Sequence, residues 1–285
     1  MKIAVVIDSG TGWTMKQARA LGLYYLPLQV KCGDEEFLDG VDLTVSELYA
    51  RLKRGEMPTT SMPPVGKVEA LFEELKQEQV DHVIAVPLTS GISSTAEMIQ
   101  AAAHRAEMSL TLIDPYTTVN IQGYLALCAH QLAQQGVEPA EIERRLKACV
   151  EHSNSLLVPD DLHHLKRGGR LTPLAATLGG LLKIKPILQI NEHTKGKIDV
   201  AGKVRTMSKA MDTVIERMKQ AGVDRRYSVT VAHADAPEAA EVYRRKIEAA
   251  IEGVQVNVIK LVSVVGVHTG RGCQALQYFC PLSEE

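Results

Sequence analysis

Short apolar runs rich in β-branched residues alternate with segments of helical period through most of this 285-residue chain. The first run, residues 2–8, ends at an acid, and a comparable run covers residues 82–88. Between them lie amphipathic segments such as residues 45–54, which Thr44 and Glu47 open with a capping box. Strands that alternate with helices are typical of α/β folds with mainly parallel sheets. The sequence therefore predicts an α/β protein.

Two successive helices, residues 118–135 and 139–152, interrupt this alternation and mark a boundary between two lobes. We predict an N-terminal α/β lobe over residues 1–153, with a mainly parallel sheet, and a C-terminal α/β lobe over residues 154–285. The other predicted strands are residues 23–31, 111–114, 155–158, 186–190, 226–233 and 254–260. The other predicted helices are residues 14–21, 65–78, 96–106, 160–166, 173–182, 206–221 and 238–251.

Charge and composition limit the classes of function. With 32 Lys and Arg against 34 Asp and Glu, the chain has no overall field that would draw it to nucleic acid. Aromatic residues make up 4%, too few for base-stacking platforms. The five cysteines form no CxxC pair, and their odd number argues against a disulfide framework. We recognise neither a signal peptide nor an apolar run of roughly 20 residues, so we expect a cytoplasmic protein with at most transient membrane contact.

Two hydroxyl-rich loops precede predicted helices. The first, residues 58–64, contains a Thr-Thr-Ser triplet whose hydroxyls either cap the next helix or contact a ligand. The second, residues 89–95, places Ser93 and Ser94 between a strand and a helix. Free N–H groups and the positive end of the helix dipole make such a position suitable for an anion. The second loop lacks the lysine and the spacing of a nucleotide-binding P-loop.

Histidines occur in two glycine-bearing segments of the second lobe. His268 lies in a predicted loop, residues 265–272, where glycines let the backbone approach a ligand and the imidazole can donate a hydrogen bond. His163 and His164 point about 100° apart on a helix, so they cannot chelate one metal as an i, i+4 pair would. We therefore expect neither a metal nor a cofactor.

A serine hydrolase or acyltransferase acting on acyl esters is the alternative from another functional class, with Ser93 as nucleophile and His268 as base. Thr95 stands where the G-x-S-x-G turn of hydrolases needs its second glycine, which disfavours this alternative. No acid that would orient His268 is evident near it in the sequence. A non-catalytic anion site is the preferred interpretation, and the hydrolase stays open.

Seven short segments carry a family resemblance across nearly the whole chain. They are Asp8-Ser9, Thr60-Ser61 and residues 90–95, 165–170, 183–188, 203–206 and 266–270. In this order and combination they resemble the DegV family of bacterial fatty-acid-binding proteins. Any one of them alone is a weak signal, whereas together they are specific.

The resemblance implies a two-lobe DegV-like fold with a tunnel at and beside the lobe interface for one long-chain fatty acid, such as palmitate or oleate. It implies a carrier and not an enzyme: a fatty acid kinase catalytic subunit phosphorylates the presented carboxylate to an acyl phosphate for phospholipid synthesis. By motif position, Thr60, Ser93 and His268 contact the carboxylate, and the neighbouring Ser61 and Ser94 assist.

Arg205 falls in the family segment 203–206, and a guanidinium can bind phosphate through two parallel hydrogen bonds. We expect Arg205 to sense the acyl phosphate or the kinase, with Arg170 and Arg271 as weaker candidates. Four positions depart from the usual family residues: Met62 replaces glutamine, Ser94 glycine, Arg271 proline and Cys273 alanine.

Overall fold

The computed structural model describes residues 1–177 and 184–282, and their strands form three β-sheets. The strands are β1 (Ile3–Asp8), β2 (Tyr24–Leu26), β3 (Gln29–Cys32), β4 (Glu35–Leu38), β5 (Thr59–Ser61), β6 (His82–Val86), β7 (Ser109–Leu112), β8 (Ser153–Val158), β9 (Lys185–Ile190), β10 (Asp199–Val204), β11 (Ser228–His233), β12 (Val256–Lys260) and β13 (Gln274–Phe279). The α-helices are α1 (Met15–Ala20), α2 (Val45–Lys53), α3 (Val65–Gln77), α4 (Thr95–Arg105), α5 (Val119–Gln134), α6 (Pro139–Glu151), α7 (Leu162–Arg167), α8 (Pro173–Thr177), α9 (Met207–Gln220), α10 (Pro237–Ala250) and α11 (Ser263–Thr269).

The N-terminal sheet is parallel, with strand order β2-β1-β6-β7. On β1, Val5 and Ile7 face a core formed with α5 and α6, whereas Ala4 and Val6 face α3 and α4. A strand covered on both faces must be apolar at every position, which is why the first run reads as continuous. The predicted parallel sheet is confirmed. Its strands end at one edge, and at that edge open α/β sheets bind their ligands.

The C-terminal sheet has six strands in the order β10-β9-β8-β13-β11-β12, all from residue 153 onward. Its strand pairs are antiparallel except for β11 and β12. Leu156 and Leu276 face α9 and α10, whereas Leu157 and Ala275 face the N-terminal half. The second α/β lobe is therefore confirmed, and the lobe boundary at residues 153 and 154 stays a prediction.

One predicted strand, residues 23–31, is wrong because it is two strands in different sheets. β2 pairs with β1, and β3 pairs with β4 and β5 in a three-stranded antiparallel sheet. Pro27 lies between them, and proline has no N–H to continue a ladder. The first hydroxyl-rich loop, residues 58–64, contains the third strand of this sheet, β5. Its middle residue, Thr60, pairs with Val30.

The predicted loop at residues 265–272 is also wrong, because α11 continues to Thr269. Gly266 lies inside this helix, where a Cβ atom would be 2.5 Å from the hydroxyl of Tyr49 on α2. The glycine therefore marks close packing of two helices and not a turn. Sequence patterns also missed four strands, namely β4, β5, β10 and β13.

Helix starts agree with the sequence where a side chain caps them. Thr44 accepts a hydrogen bond from the Glu47 N–H, and the Glu47 carboxylate accepts one from Thr44, so the predicted capping box is confirmed. The predicted helix 173–182 is observed as α8, and its remainder, with the family-segment residue Lys183, lies outside the described residues. No helix in the described ranges is both long and apolar enough to cross a bilayer.

Candidate functional site

A cavity of about 640 Å³ lies between the six-stranded sheet and the loops at the carboxyl edge of the parallel sheet. This volume falls in the usual range for small-molecule sites, about 300–1,000 Å³. Its apolar lining comes from both halves of the chain. The aliphatic residues of this lining include Leu28, Leu88, Val119, Leu157, Ile190, Ile198, Ala232, Leu261, Val264, Val265 and Ala275.

Most of the predicted ligand residues line this one cavity. Thr60, Ser61, Ser93, Ser94 and His268 all contribute to its wall. They come from β5, from the loop after β6 and from α11, so the fold brings together three segments that are far apart in sequence. Hydroxyls and an imidazole in a cavity with many aliphatic side chains can bind the polar head of an amphiphile.

Thr60 and His268 are in direct contact: Oγ1 of Thr60 lies 2.7 Å from Nε2 of His268. β5 holds Thr60 through its ladder with β3, and α11 carries His268 in its last turn. Regular secondary structure therefore positions both Thr60 and His268 in the cavity wall.

His268 is largely buried, and burial lowers the pKa of its imidazole to about 4. The proximity of Arg170 and His164 contributes to this lowering of the pKa, while a backbone hydrogen bond at Gly168 acts in the opposite direction. At pH 7 the imidazole is therefore neutral. A carboxylate placed beside it would favour the charged form and raise this pKa.

The end of α7 packs directly on the His268 ring. A Cβ atom on Gly168 would lie 2.7 Å from Nδ1 of His268, so a larger residue would displace the ring. Gly168 is the C-cap of α7. His164, on the same helix, makes a 2.8 Å hydrogen bond from Nε2 to the Val267 carbonyl. Gly168 beside Nδ1 and the bond of His164 to Val267 therefore help to position the His268 ring, whose Nε2 contacts Thr60.

Ser93 lies just before α4, and its hydroxyl makes a 2.9 Å hydrogen bond with that of Thr95. Ser94 is the N-cap of α4 but makes no side-chain capping bond. The Thr95 N–H donates a 3.3 Å hydrogen bond to the Ser93 hydroxyl, which leaves the next N–H groups of the first turn for an anion. Gly91 in the same loop packs so tightly on Gly196 that a Cβ atom would overlap the Gly196 backbone. This contact joins the loop to the C-terminal half of the chain.

The hydrolase alternative requires a hydrogen bond between Ser93 and His268. Among the residues described, Ser93 instead bonds Thr95, and Nε2 of His268 bonds Thr60. Nδ1 of His268 faces the backbone of Gly168, where a hydrolase would place an orienting carboxylate. Across residues 1–177 and 184–282, no group of three or more His, Cys, Asp or Glu side chains could hold a metal ion.

The three candidate arginines occupy different environments. Arg170 lines the cavity, donates a 2.6 Å hydrogen bond to the Gly168 carbonyl and has a pKa lowered by burial. Arg205 is exposed between β10 and α9 and is not part of the cavity wall. Arg271 is exposed and forms a 3.0 Å ion pair with Asp235. Arg170, which the sequence ranked below Arg205, is therefore the one that reaches the cavity.

Sequence reasoning missed a second polar group in the cavity wall, formed by Thr117, Ser155 and Gln277. Gln277 lies on β13, a strand that the sequence patterns did not predict. The available signal was the run 274–279, in which Gln277 interrupts an apolar stretch of strand length.

Comparison with known proteins gives a consistent result along the chain. A family model described as an uncharacterised protein, DegV family, matches residues 2–280. A DegV domain-containing protein of Streptococcus pneumoniae is 34% identical over 281 residues, 98% of this chain and 99% of the relative. The crystal structure of a fatty acid binding DegV family protein from Streptococcus agalactiae matches with TM-score 0.88 and 28% identity, covering 98% of this chain and 99% of that one. The structure of DegV, a fatty acid binding protein from Bacillus subtilis, matches with TM-score 0.86 and 31% identity, covering 98% and 99%.

Proposed function

The chain belongs to the DegV family, and from that premise we propose that it binds one long-chain fatty acid, such as palmitate or oleate. The observation that carries the proposal is the cavity, whose wall combines many aliphatic side chains with the Thr60–His268 pair and Ser93. The Streptococcus agalactiae and Bacillus subtilis relatives, which are described as fatty acid binding, support the same ligand class.

The hydrocarbon tail and the carboxylate of a fatty acid contribute differently to binding. A saturated tail of about 15 carbons contributes a gross hydrophobic term near 12 kcal/mol, at about 0.8 kcal/mol per buried carbon. The carboxylate costs several kcal/mol to desolvate unless it is hydrogen-bonded. The tail therefore supplies affinity, while Thr60, Ser93 and His268, assisted by Ser61 and Ser94, orient the head.

We further propose a carrier role in which a fatty acid kinase phosphorylates the bound carboxylate to an acyl phosphate for phospholipid synthesis. Arg205 is exposed and outside the cavity, which suits contact with such a partner better than contact with the free acid. A cytoplasmic location is part of this proposal, supported by five cysteines that are all free thiols.

The test is lipid analysis of the purified protein. Protein expressed in a bacterial host should release roughly one fatty acid per chain on denaturing extraction, as measured by mass spectrometry. Delipidated protein should regain thermal stability when palmitate or oleate is added, because a ligand that binds only the folded state raises the melting temperature. Absence of extracted fatty acid together with no thermal shift would refute the proposal.

A further inference from the structure

A buried pair of hydroxyls lies in the cavity wall apart from the Thr60 and His268 contact. Oγ1 of Thr117 is 2.7 Å from Oγ of Ser155, and both residues are at most 3% exposed. Nε2 of Gln277 lies 3.2 Å from the Thr117 hydroxyl and 2.9 Å from the Ser155 hydroxyl. All three side chains belong to the lining of the cavity.

The Gln277 amide can only donate to these hydroxyls. Its Oε1 accepts a 3.0 Å hydrogen bond from the Asn120 N–H, and its Nε2 donates a 2.8 Å bond to the Thr118 carbonyl. A flipped amide would place a donor against a donor and an acceptor against an acceptor, so both neighbours determine its orientation. Gln277 therefore offers the two hydroxyls hydrogens and accepts none from them.

The two hydroxyls contact each other and the donating amide of Gln277. Only one of their two hydrogens can therefore be accepted within the pair, and the other lacks an acceptor in the described part of the chain. If Thr117 donates to Ser155, the Ser155 hydrogen has no acceptor among the described residues, and the reverse choice leaves the Thr117 hydrogen in the same state. A buried donor without an acceptor is unfavourable, and native structures rarely leave one. An oxygen atom inside the cavity would satisfy it.

The strand register separates this pair from the His268 end of the sheet. Ala275 pairs with Leu157, and Gln277 pairs with Ser155 two residues further along β13. Two residues of antiparallel strand span about 7 Å. α11 connects to β13 at one end of the sheet. The apolar row of Ala275 and Leu157 lies between that end and the row that carries the hydroxyl pair.

We propose that this cavity accommodates a fatty acid that carries an oxygen atom on its chain, such as a hydroxy fatty acid, and that the Thr117 and Ser155 pair donates a hydrogen bond to that oxygen. The inference rests on the proposed function, because it names the class of fatty acid. The head group binds at Thr60 and His268, the hydrocarbon crosses the row of Ala275 and Leu157, and the chain oxygen reaches the hydroxyl pair.

The test compares octadecanoic acid with a set of its positional isomers hydroxylated between carbons 6 and 16. Each is assayed by displacement of a fluorescent fatty acid from delipidated protein. One isomer or a few adjacent ones should bind about fivefold or more tightly than octadecanoic acid, the effect of one neutral hydrogen bond. The double variant Thr117→Val/Ser155→Ala should remove most of this preference, because either hydroxyl left alone would still have a hydrogen to donate, while Val45→Ala, outside the cavity, should retain it.

The outcomes separate the two proposals. Octadecanoic acid that binds as tightly as every isomer in the unaltered protein overturns the inference and leaves fatty acid binding intact, as expected if water satisfies the spare hydrogen. A preference that survives in the double variant also overturns it. Failure of all the acids to bind refutes the proposed function and this inference together. The comparison in the unaltered protein decides the matter even if a variant does not fold.

Discussion

The side chains of Thr60 and His268, 208 residues apart in sequence, meet through a 2.7 Å hydrogen bond in the wall of the cavity. One comes from the small antiparallel sheet and the other from the last turn of α11. Because the imidazole is neutral at neutral pH, the pair forms an uncharged site that a carboxylate would polarise. The first two predictions follow from this contact.

Thr60→Val and Ser93→Ala should each weaken palmitate binding by about tenfold or more, because a hydrogen bond to a charged acceptor contributes about 1.5–3 kcal/mol. Thr59→Val is the matched control, since Thr59 is exposed and is not part of the cavity wall. Displacement of a fluorescent fatty acid measures the effect. Equal affinity in the Thr59 and Thr60 variants would contradict the assigned head site.

The pKa of His268 should rise when a fatty acid binds. In the free protein burial lowers it to about 4, and a carboxylate beside the ring would stabilise the imidazolium. Titration of ring signals by NMR in the presence and absence of palmitate measures the change, with the exposed His193 as an internal reference. A His268 titration that does not move on binding would place the carboxylate elsewhere.

Two buried acids should make the protein less stable as the pH rises from about 4 to 6. Burial raises the pKa of Asp8 and of Asp39 from 3.8 to about 6, with hydrogen bonds acting in the opposite direction. The folded state therefore binds more protons than the unfolded state in this window, so the free energy of unfolding falls with pH. For Asp8 the loss is on the order of 3 kcal/mol.

Urea denaturation of the unaltered protein and of Asp8→Asn at pH 4, 5, 6 and 7 measures this dependence. The stability of the unaltered protein relative to the variant should fall through the window, which separates Asp8 from the opposite contribution of His268. Asp34→Asn, at an exposed turn, is the control. A difference between unaltered protein and Asp8→Asn that is constant with pH would show that Asp8 titrates normally.

Gly91→Ala should destabilise the protein by about 1–3 kcal/mol and weaken fatty acid binding, because the added methyl group would overlap the Gly196 backbone. Gly66→Ala is the matched control. Gly66 lies in the first turn of α3 with open space around it, and alanine is the better helix former, so this variant should be at least as stable. Thermal melts and the displacement assay measure both effects. Similar behaviour of the two variants would contradict the assigned contact.

Arg205→Ala should keep fatty acid affinity within about threefold, under 1 kcal/mol, and slow acyl phosphate formation by a cognate kinase. The residue lies outside the cavity wall but can offer phosphate two parallel hydrogen bonds. Arg225→Ala, another exposed arginine, is the control. Equal losses in binding and phosphorylation would make Arg205 part of the head site, and no loss in either would make it an ordinary surface residue.

The sequence by itself was sufficient for features whose causes are local. The α/β alternation, the buried parallel strand at β1 and the capping box at Thr44 all follow from residue spacing within one element. The family segments also stand in the sequence as short strings. Where local chemistry was ambiguous the prediction was wrong: Gly266 was assigned to a loop whose backbone approaches a ligand, but it marks a close helix contact.

Only the tertiary structure decided which side chains face one another. Thr60 meets His268, and Ser155 meets Gln277, because strand pairing and helix packing bring distant segments together. Nothing in the spacing of a single strand records its partner or its register. The same reason placed Arg170 in the cavity and Arg205 outside it, because burial depends on what the rest of the chain covers.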